Sequence, residues 1–220
     1  MKNFFLILFS FFSITVFSQE KSLINLNDLK LGTYKSKAVN TDGVDQKSSF
    51  DIYVSKPSTK DVFNLYIDVS LKKRDSKGYS GSGLMLTSEQ LDLFFNNLMS
   101  SKKQFEALLN RENMDKDIRF SIGRNFPCGF YQWKADSPRG PLNRQGETKK
   151  NSQKQPLSID FVASKNSKEL WITLRSLKSV DQEFGIVFDS VDDINTFLKI
   201  IDPNEVRQKV HNNFKIRGKK

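Results

Sequence analysis

Two aspartates, Asp51 and Asp160, stand third in the matching segments Ser49-Phe-Asp51-Ile-Tyr-Val-Ser55-Lys56 and Ser158-Ile-Asp160-Phe-Val-Ala-Ser164-Lys165. Carboxylates brought together by an internal two-fold could divide acid and base work or hold a cation. A lone aspartate on the polar face of each hairpin is the plainer alternative. Cys128 and His211 are the only residues of their kinds, and a thiolate needs a base within hydrogen-bond reach to act as a nucleophile. The surroundings Phe126-Pro-Cys-Gly-Phe130 instead predict a buried, inert thiol. One His and one Cys cannot make a nitrogen–sulfur metal set, and no Asp-rich loop has calcium-hand spacing. Gly78, Gly81 and Gly83 lack the Lys-Ser/Thr that follows a phosphate loop, and no Gly-x-Ser-x-Gly elbow occurs. The sequence therefore predicts no enzyme, no cofactor and no metal.

Cations and aromatics offer a different chemistry. Lys35 and Lys37 flank Ser36 just after Tyr34, while Tyr131, Trp133 and Lys134 lie together further on, followed by Arg139 and Arg144 in a polar stretch with Lys149, Lys150 and Lys154. Lysines on a strand with aromatic neighbours can hold phosphates while the rings stack on bases. Alternating lysines also occur simply as a solvated strand edge. Tyr66 and Trp171 are likewise paired across the chain, which fits either a groove or a shared core. Trp133 matches Ser36, so it is the aromatic with no counterpart.

The elements that must position these residues recur. Gly32-Thr-Tyr34-Lys-Ser-Lys37-Ala38 returns as Gly129-Phe-Tyr131-Gln-Trp-Lys134-Ala135, Leu65-Tyr-Ile67 as Leu170-Trp-Ile172, and Gly83-Leu-Met-Leu86 as Gly185-Ile-Val-Phe188. Phe94, Phe95 and Leu98 are answered by Phe197, Leu198 and Ile201. Alternation predicts strands over 34–39, 50–56 and 63–71, then a loop over 72–82 and a fourth strand over 83–86. Thr87-Ser-Glu-Gln90 is a capping box opening a helix with Leu91, Phe94, Phe95, Leu98, Phe105, Leu108 and Leu109 on one stripe. Asp189 or Ser190 caps the matching helix, and Asp202-Pro203 opens a last one with Val206 and Val210 inward. The fold class predicted is α+β, a tandem duplication of a ββββα unit giving two antiparallel sheets with packed helices.

The bounds follow: a signal peptide over 1–18, a lead-in over 19–30, repeat 1 over 31–111 and repeat 2 over 117–202 with a basic polar insert at 136–156. A C-terminal helix and basic tail complete the chain over 203–220. Phe4 to Phe17 is apolar apart from Ser10, Ser13 and Thr15, a run of roughly 14 residues where about 20 are needed to span a bilayer. Cleavage near Ser18-Gln19 would export the mature chain, periplasmic or secreted, with no transmembrane segment. Lys and Arg number 35 against 25 Asp and Glu, a formal net charge of +10, and loss of Lys2 with the leader removes one of those cations. Such a balance favours polyanionic partners. A single Cys leaves stability to packing rather than disulfides.

Duplicated units of four strands and a helix, with Tyr34-Lys35-Ser36-Lys37-Ala38 in the first strand, resemble the Whirly family of single-stranded DNA-binding proteins. The Whirly pattern has Lys-Gly-Lys-Ala there, and Ser36 replaces the Gly. The unit order is similar to the PUR-repeat proteins as well. The resemblance implies helices clasped between two sheets packed almost at right angles, a ring-like homo-oligomer, and single strands held by stacking and phosphate contacts. It makes Tyr34, Lys35 and Lys37 the first contacts. The function predicted is an exported, non-enzymatic protein that binds single-stranded nucleic acid or another acidic polymer. The alternative is a structural or accessory envelope protein acting through protein association.

Overall fold

The computed structural model describes residues 28–40, 43–57, 62–69, 72–73, 79–111, 117–135, 143–145, 155–175 and 183–214. The expected leader, most of the polar insert and the basic tail lie outside them. The chain is α+β, with a large antiparallel sheet and few helices. The strands are β1 (Leu29–Asn40), β2 (Gly43–Val54), β3 (Asn64–Val69), β4 (Lys72–Lys73) and β5 (Tyr79–Thr87), followed by helix α1 (Ser88–Leu109). Then come β6 (Ile118–Ser121), β7 (Phe126–Ala135), β8 (Asn143–Gln145), β9 (Gln155–Ser164), β10 (Ser167–Arg175) and β11 (Glu183–Phe188), with α2 (Val191–Ile200) and α3 (Pro203–Asn213).

Alternation forms the strands as the pattern requires. On β2, Phe50, Ile52 and Val54 are fully buried while Asp51 and Tyr53 are only partly so. The β9–β10 hairpin turns at Lys165-Asn166, and Lys168 beyond it donates to the carbonyls of Leu109 at 2.7 Å and Arg111 at 2.6 Å. A cation on those carbonyls complements the negative end of α1. At the other end of α1, Thr87 and Gln90 exchange side-chain bonds with each other's amides, completing the capping box. Ser190 caps α2 and Asp202 caps α3.

Several boundaries differ from expectation, β1 and β2 among them, which begin at Leu29 and Gly43 rather than at 34 and 50. The strand predicted to start at Gly83 begins at Tyr79, because β4 and β7 flank the Tyr-Ser-Gly-Ser-Gly segment and give its backbone partners. Strand β6 has no sequence signal, since three of its four residues are exposed. It runs beside β9 ahead of β7, separated from it by a bulge at which the amides of Ile122 and Gly123 both donate to Ile159, at 2.9 and 3.0 Å. Only glycine fits at 123, where a Cβ would stand 2.7 Å from that of Ile159.

The strands make one sheet rather than two separate ones. Ladders run β1–β2–β3–β5 and β7–β9–β10–β11, and two seams join them, β1 with β11 and β5 with β7, so the sheet closes into a circuit. Inside lie rings from both halves of the chain. Tyr34 packs edge-on against Phe197 at 5.2 Å, Phe126 against Phe94 at 6.0 Å, and Phe94 against Phe197 at 6.4 Å. Phe94 and Phe197 bring α1 and α2 to the centre, each ring fully buried and contributing about 1.5–3 kcal/mol by its removal from water.

The ladders also show which residues hold like positions. Tyr34 faces Phe50 as Phe126 faces Leu157. Ala38 faces Ile186 as Phe130 faces Leu84, and Val39 faces Gly185 as Tyr131 faces Gly83. Tyr34 and Phe126 thus hold like ladder positions, whereas the sequence match sets Tyr34 beside Tyr131. Asp51, opposite Asp68, and Ser158, opposite Thr173, likewise hold like ladder positions.

Candidate polyanion-binding corner

The first strand does not supply the expected contacts. Tyr34 is 4% exposed, enclosed by Phe50, Phe188 and Phe197. Burial pushes its phenol well above the usual range. Its hydroxyl has no hydrogen-bond partner, the neighbouring Ser36 hydroxyl being given to the carbonyl of Val187. A ring in the core cannot stack on a base. Lys37 is held at 2.7 Å by Glu169 and at 2.6 Å by Asp189, which neutralise it. Burial opposes its charge but the two carboxylates outweigh it, so its pKa is raised. Of the three first-strand contacts, only Lys35 is exposed.

Two further cations on the sheet are matched in the same way. Lys30 meets Asp51 at 2.7 Å, and Arg119 meets Asp160 at 2.7 Å. Each aspartate is thus committed to its own cation, which overturns the notion of a carboxylate pair. Cys128 is fully buried and burial pushes its thiol up, the opposite of an activated nucleophile. His211 is exposed on α3. Among the described residues no group of three or more His, Cys, Asp and Glu could hold a metal ion.

The second group of predicted residues is brought together, with help that sequence reading missed. Four strands lie side by side in the order β4–β5–β7–β8. One row reads Lys72, Ser80, Lys134, Asn143; the next reads Gly81, Trp133, Arg144; and Lys73, Tyr79, Ala135 make a third. Tyr131 stands opposite Gly83. Residues opposite each other share a face, and alternate residues along a strand do too. Lys73, Tyr79, Trp133, Arg144 and Tyr131 thus hold register positions that alternate with those of Leu84 and Leu86. Gly81 and Gly83 stand opposite Trp133 and Tyr131 in the ladder.

Comparison of the chain with protein-family models, curated proteins and solved structures finds no match. The corner must be read from its own chemistry. Its four strands carry Lys72, Lys73, Lys134 and Arg144 and not one Asp or Glu. A four-strand row spans roughly 14 Å at the usual strand spacing. Lys72, Lys73 and Tyr79 lie where the sequence predicts a loop, and no periodicity reveals β4, because it has only two residues. Arg139 lies outside the described residues.

Proposed function

We propose that this chain is a non-enzymatic binding protein that holds a polyanion, single-stranded nucleic acid being the favoured form, on the β4–β5–β7–β8 corner. One observation carries the reading: the four strands of this corner bear Lys72, Lys73, Lys134 and Arg144 with Tyr79, Tyr131 and Trp133 and no Asp or Glu in their sequence, whereas Lys30, Lys37 and Arg119 elsewhere on the sheet each meet a carboxylate. Aromatics opposite glycines suit bases lying flat, each worth about 1–3 kcal/mol, and the cations suit phosphates. The likeness to Whirly and PUR-repeat proteins enters as part of this proposal. It rests on the order of elements and no longer on Tyr34 or Lys37. Export behind a cleaved leader and assembly into homo-oligomers belong to the same reading.

The internal duplication is part of the proposal as well. Like ladder positions extend through β1–β2, β2–β3, β3–β5 and the two seams, and the contact of Tyr34 with Phe197 is repeated by Phe126 with Phe94. Two intertwined copies, each lending its end strands to the other, account for both facts.

The test is a titration of a labelled single-stranded oligonucleotide followed by fluorescence anisotropy at several salt concentrations. Phosphate contacts predict a fall of log affinity with log salt of about 0.7 for each contact made. Charge reversal at Lys73 and Arg144 should flatten it, and Trp133→Ala should weaken binding about tenfold or more without changing the slope. A flat salt response removes the proposal. A second reading, association with a protein partner, is favoured by Leu93, 61% exposed on α1. Binding to envelope extracts that survives nuclease treatment and Leu93→Ser abolishes would select it.

A further inference from the structure

One flank of α1 faces the chain on either side of the bulge at Ile122 and Gly123, and a trough of about 640 Å³ lies between them. Its course follows from the contacts along it. Phe94 packs against Phe126 at 6.0 Å, and Asn97 donates to the carbonyl of Arg124 at 2.6 Å while accepting from its amide at 2.9 Å. Further along, Phe105 packs at 6.1 Å against Phe161, which in turn meets Phe120 at 5.4 Å. Helix and segment therefore run side by side in opposite directions. From Leu93 to Gln104 the helix rises about 16 Å, the reach of about five residues of extended chain.

Three features restrict what would fit. The first is a strand edge. Ile122 donates its amide to Ile159 across the ladder at 2.9 Å, so alternation turns the amides of Phe120 and Ile118 the same way and points the N–H and C=O groups of Arg119 and Ser121 outward. Among the described residues no strand pairs with that edge. The second is apolar surface at both ends, from exposed Leu93 beside Phe126 and from Phe120, exposed on the α1 side of β6. The third is charge. The middle is lined by amides and a hydroxyl, from Asn96, Asn97, Ser100, Gln104 and Asn125, and Arg124 is the one charged side chain among the described residues of the lining. Arg124 is exposed and meets no carboxylate among them.

We propose that this trough binds an extended peptide segment of another protein, which adds as a strand to the open edge of β6 and brings a carboxylate to Arg124. Main-chain bonds to Arg119 and Ser121 supply affinity, and alternate side chains of the peptide, packed on Leu93 and Phe126 at one end and on Phe120 at the other, supply selectivity. A cation with no acid beside it favours a negative partner. A second copy of the chain is the poorer fit, because β6 itself, Ile-Arg-Phe-Ser, has no acid to bring to Arg124. The trough shares no residue with the β4–β5–β7–β8 corner, so the proposal stands whatever that corner binds.

The test pans the full chain against a displayed library of random decapeptides, and a selected peptide is then synthesised and titrated by fluorescence anisotropy. Selected sequences should share an Asp or Glu with apolar residues to either side. Leu93→Ser and Arg124→Glu, both at exposed positions, should each weaken binding about tenfold or more, and exchanging the peptide's acid for Lys should restore binding to the Arg124→Glu chain. Methylation of alternate peptide amides should abolish binding in one register and leave it nearly unchanged in the other, as pairing along a single edge requires. No peptide selected, binding untouched by Arg124→Glu, or equal losses in both methylation registers would each overturn the proposal. So would a concentration-dependent dimer that Leu93→Ser disperses, since a second copy would then be the occupant.

Discussion

The phenol of Tyr34 is the clearest case of a residue whose role was decided by its surroundings. Its ring fills the centre of the core while its hydroxyl has no partner. An unsatisfied buried hydroxyl carries a desolvation penalty of about 1–3 kcal/mol. Urea unfolding of Tyr34→Phe should therefore show stability unchanged or raised by about 1 kcal/mol, whereas Tyr34→Ala should lose about 3–5 kcal/mol through the cavity it leaves. A large loss in the phenylalanine variant would reveal a hydroxyl that is needed. Lys37 gives a prediction of a different kind. Its folded pKa is raised, so the stability it contributes is present below lysine's ordinary 10.5 and fades as pH rises past that value. Lys37→Met should cost about 1–3 kcal/mol near neutrality, leaving Glu169 without its cation, and should flatten the alkaline fall in melting temperature.

At the scale of elements, the two seams that close the sheet are related but not equally tight. A Cβ at Gly185 would stand 2.6 Å from the Cβ of Val39 across β1–β11, while one at Gly129 would stand 2.8 Å from the terminal carbon of Met85 across β5–β7. Valine is stiff at χ1 and its Cβ cannot move without the backbone; a methionine end can swing aside. Gly185→Ala should therefore be the more destabilising by about 1 kcal/mol or more, with part of the loss recovered by adding Val39→Ala. Equal losses at the two positions, measured by denaturant titration, would count against this account of the seams. Much of this level was legible beforehand. Thr87-Ser-Glu-Gln90, Ser190 and Asp202-Pro203 open their helices as capping chemistry requires, and the hydrophobic stripe of α1 is the one that faces the core. Strands β4 and β6 were not legible, because two or four exposed residues have no pattern and exist as strands only through their neighbours.

For the whole molecule, closure makes each half dependent on the other. Strand β1 completes the circuit only against β11, β5 only against β7, and the ring of Phe94 is packed by Phe126 and Phe197 from the second half. Residues 28–111 and 117–214 expressed separately should accordingly be unfolded by circular dichroism, and the intact chain should unfold in a single transition. An independently folded half would contradict this dependence. In the described residues no helix is long and apolar enough to cross a membrane.

What the sequence determined by itself was local: which stretches alternate, where helices begin, and which residues must leave water, since these depend on neighbours a few positions away. The tertiary structure alone decided the register of the halves, the burial of Tyr34, and the pairing of Lys37 with carboxylates more than a hundred residues distant. Charge illustrates the reason. A lysine reads the same in a sequence whether a carboxylate or open solvent faces it, and only the folding of Glu169 and Asp189 against Lys37 shows that this cation is neutralised.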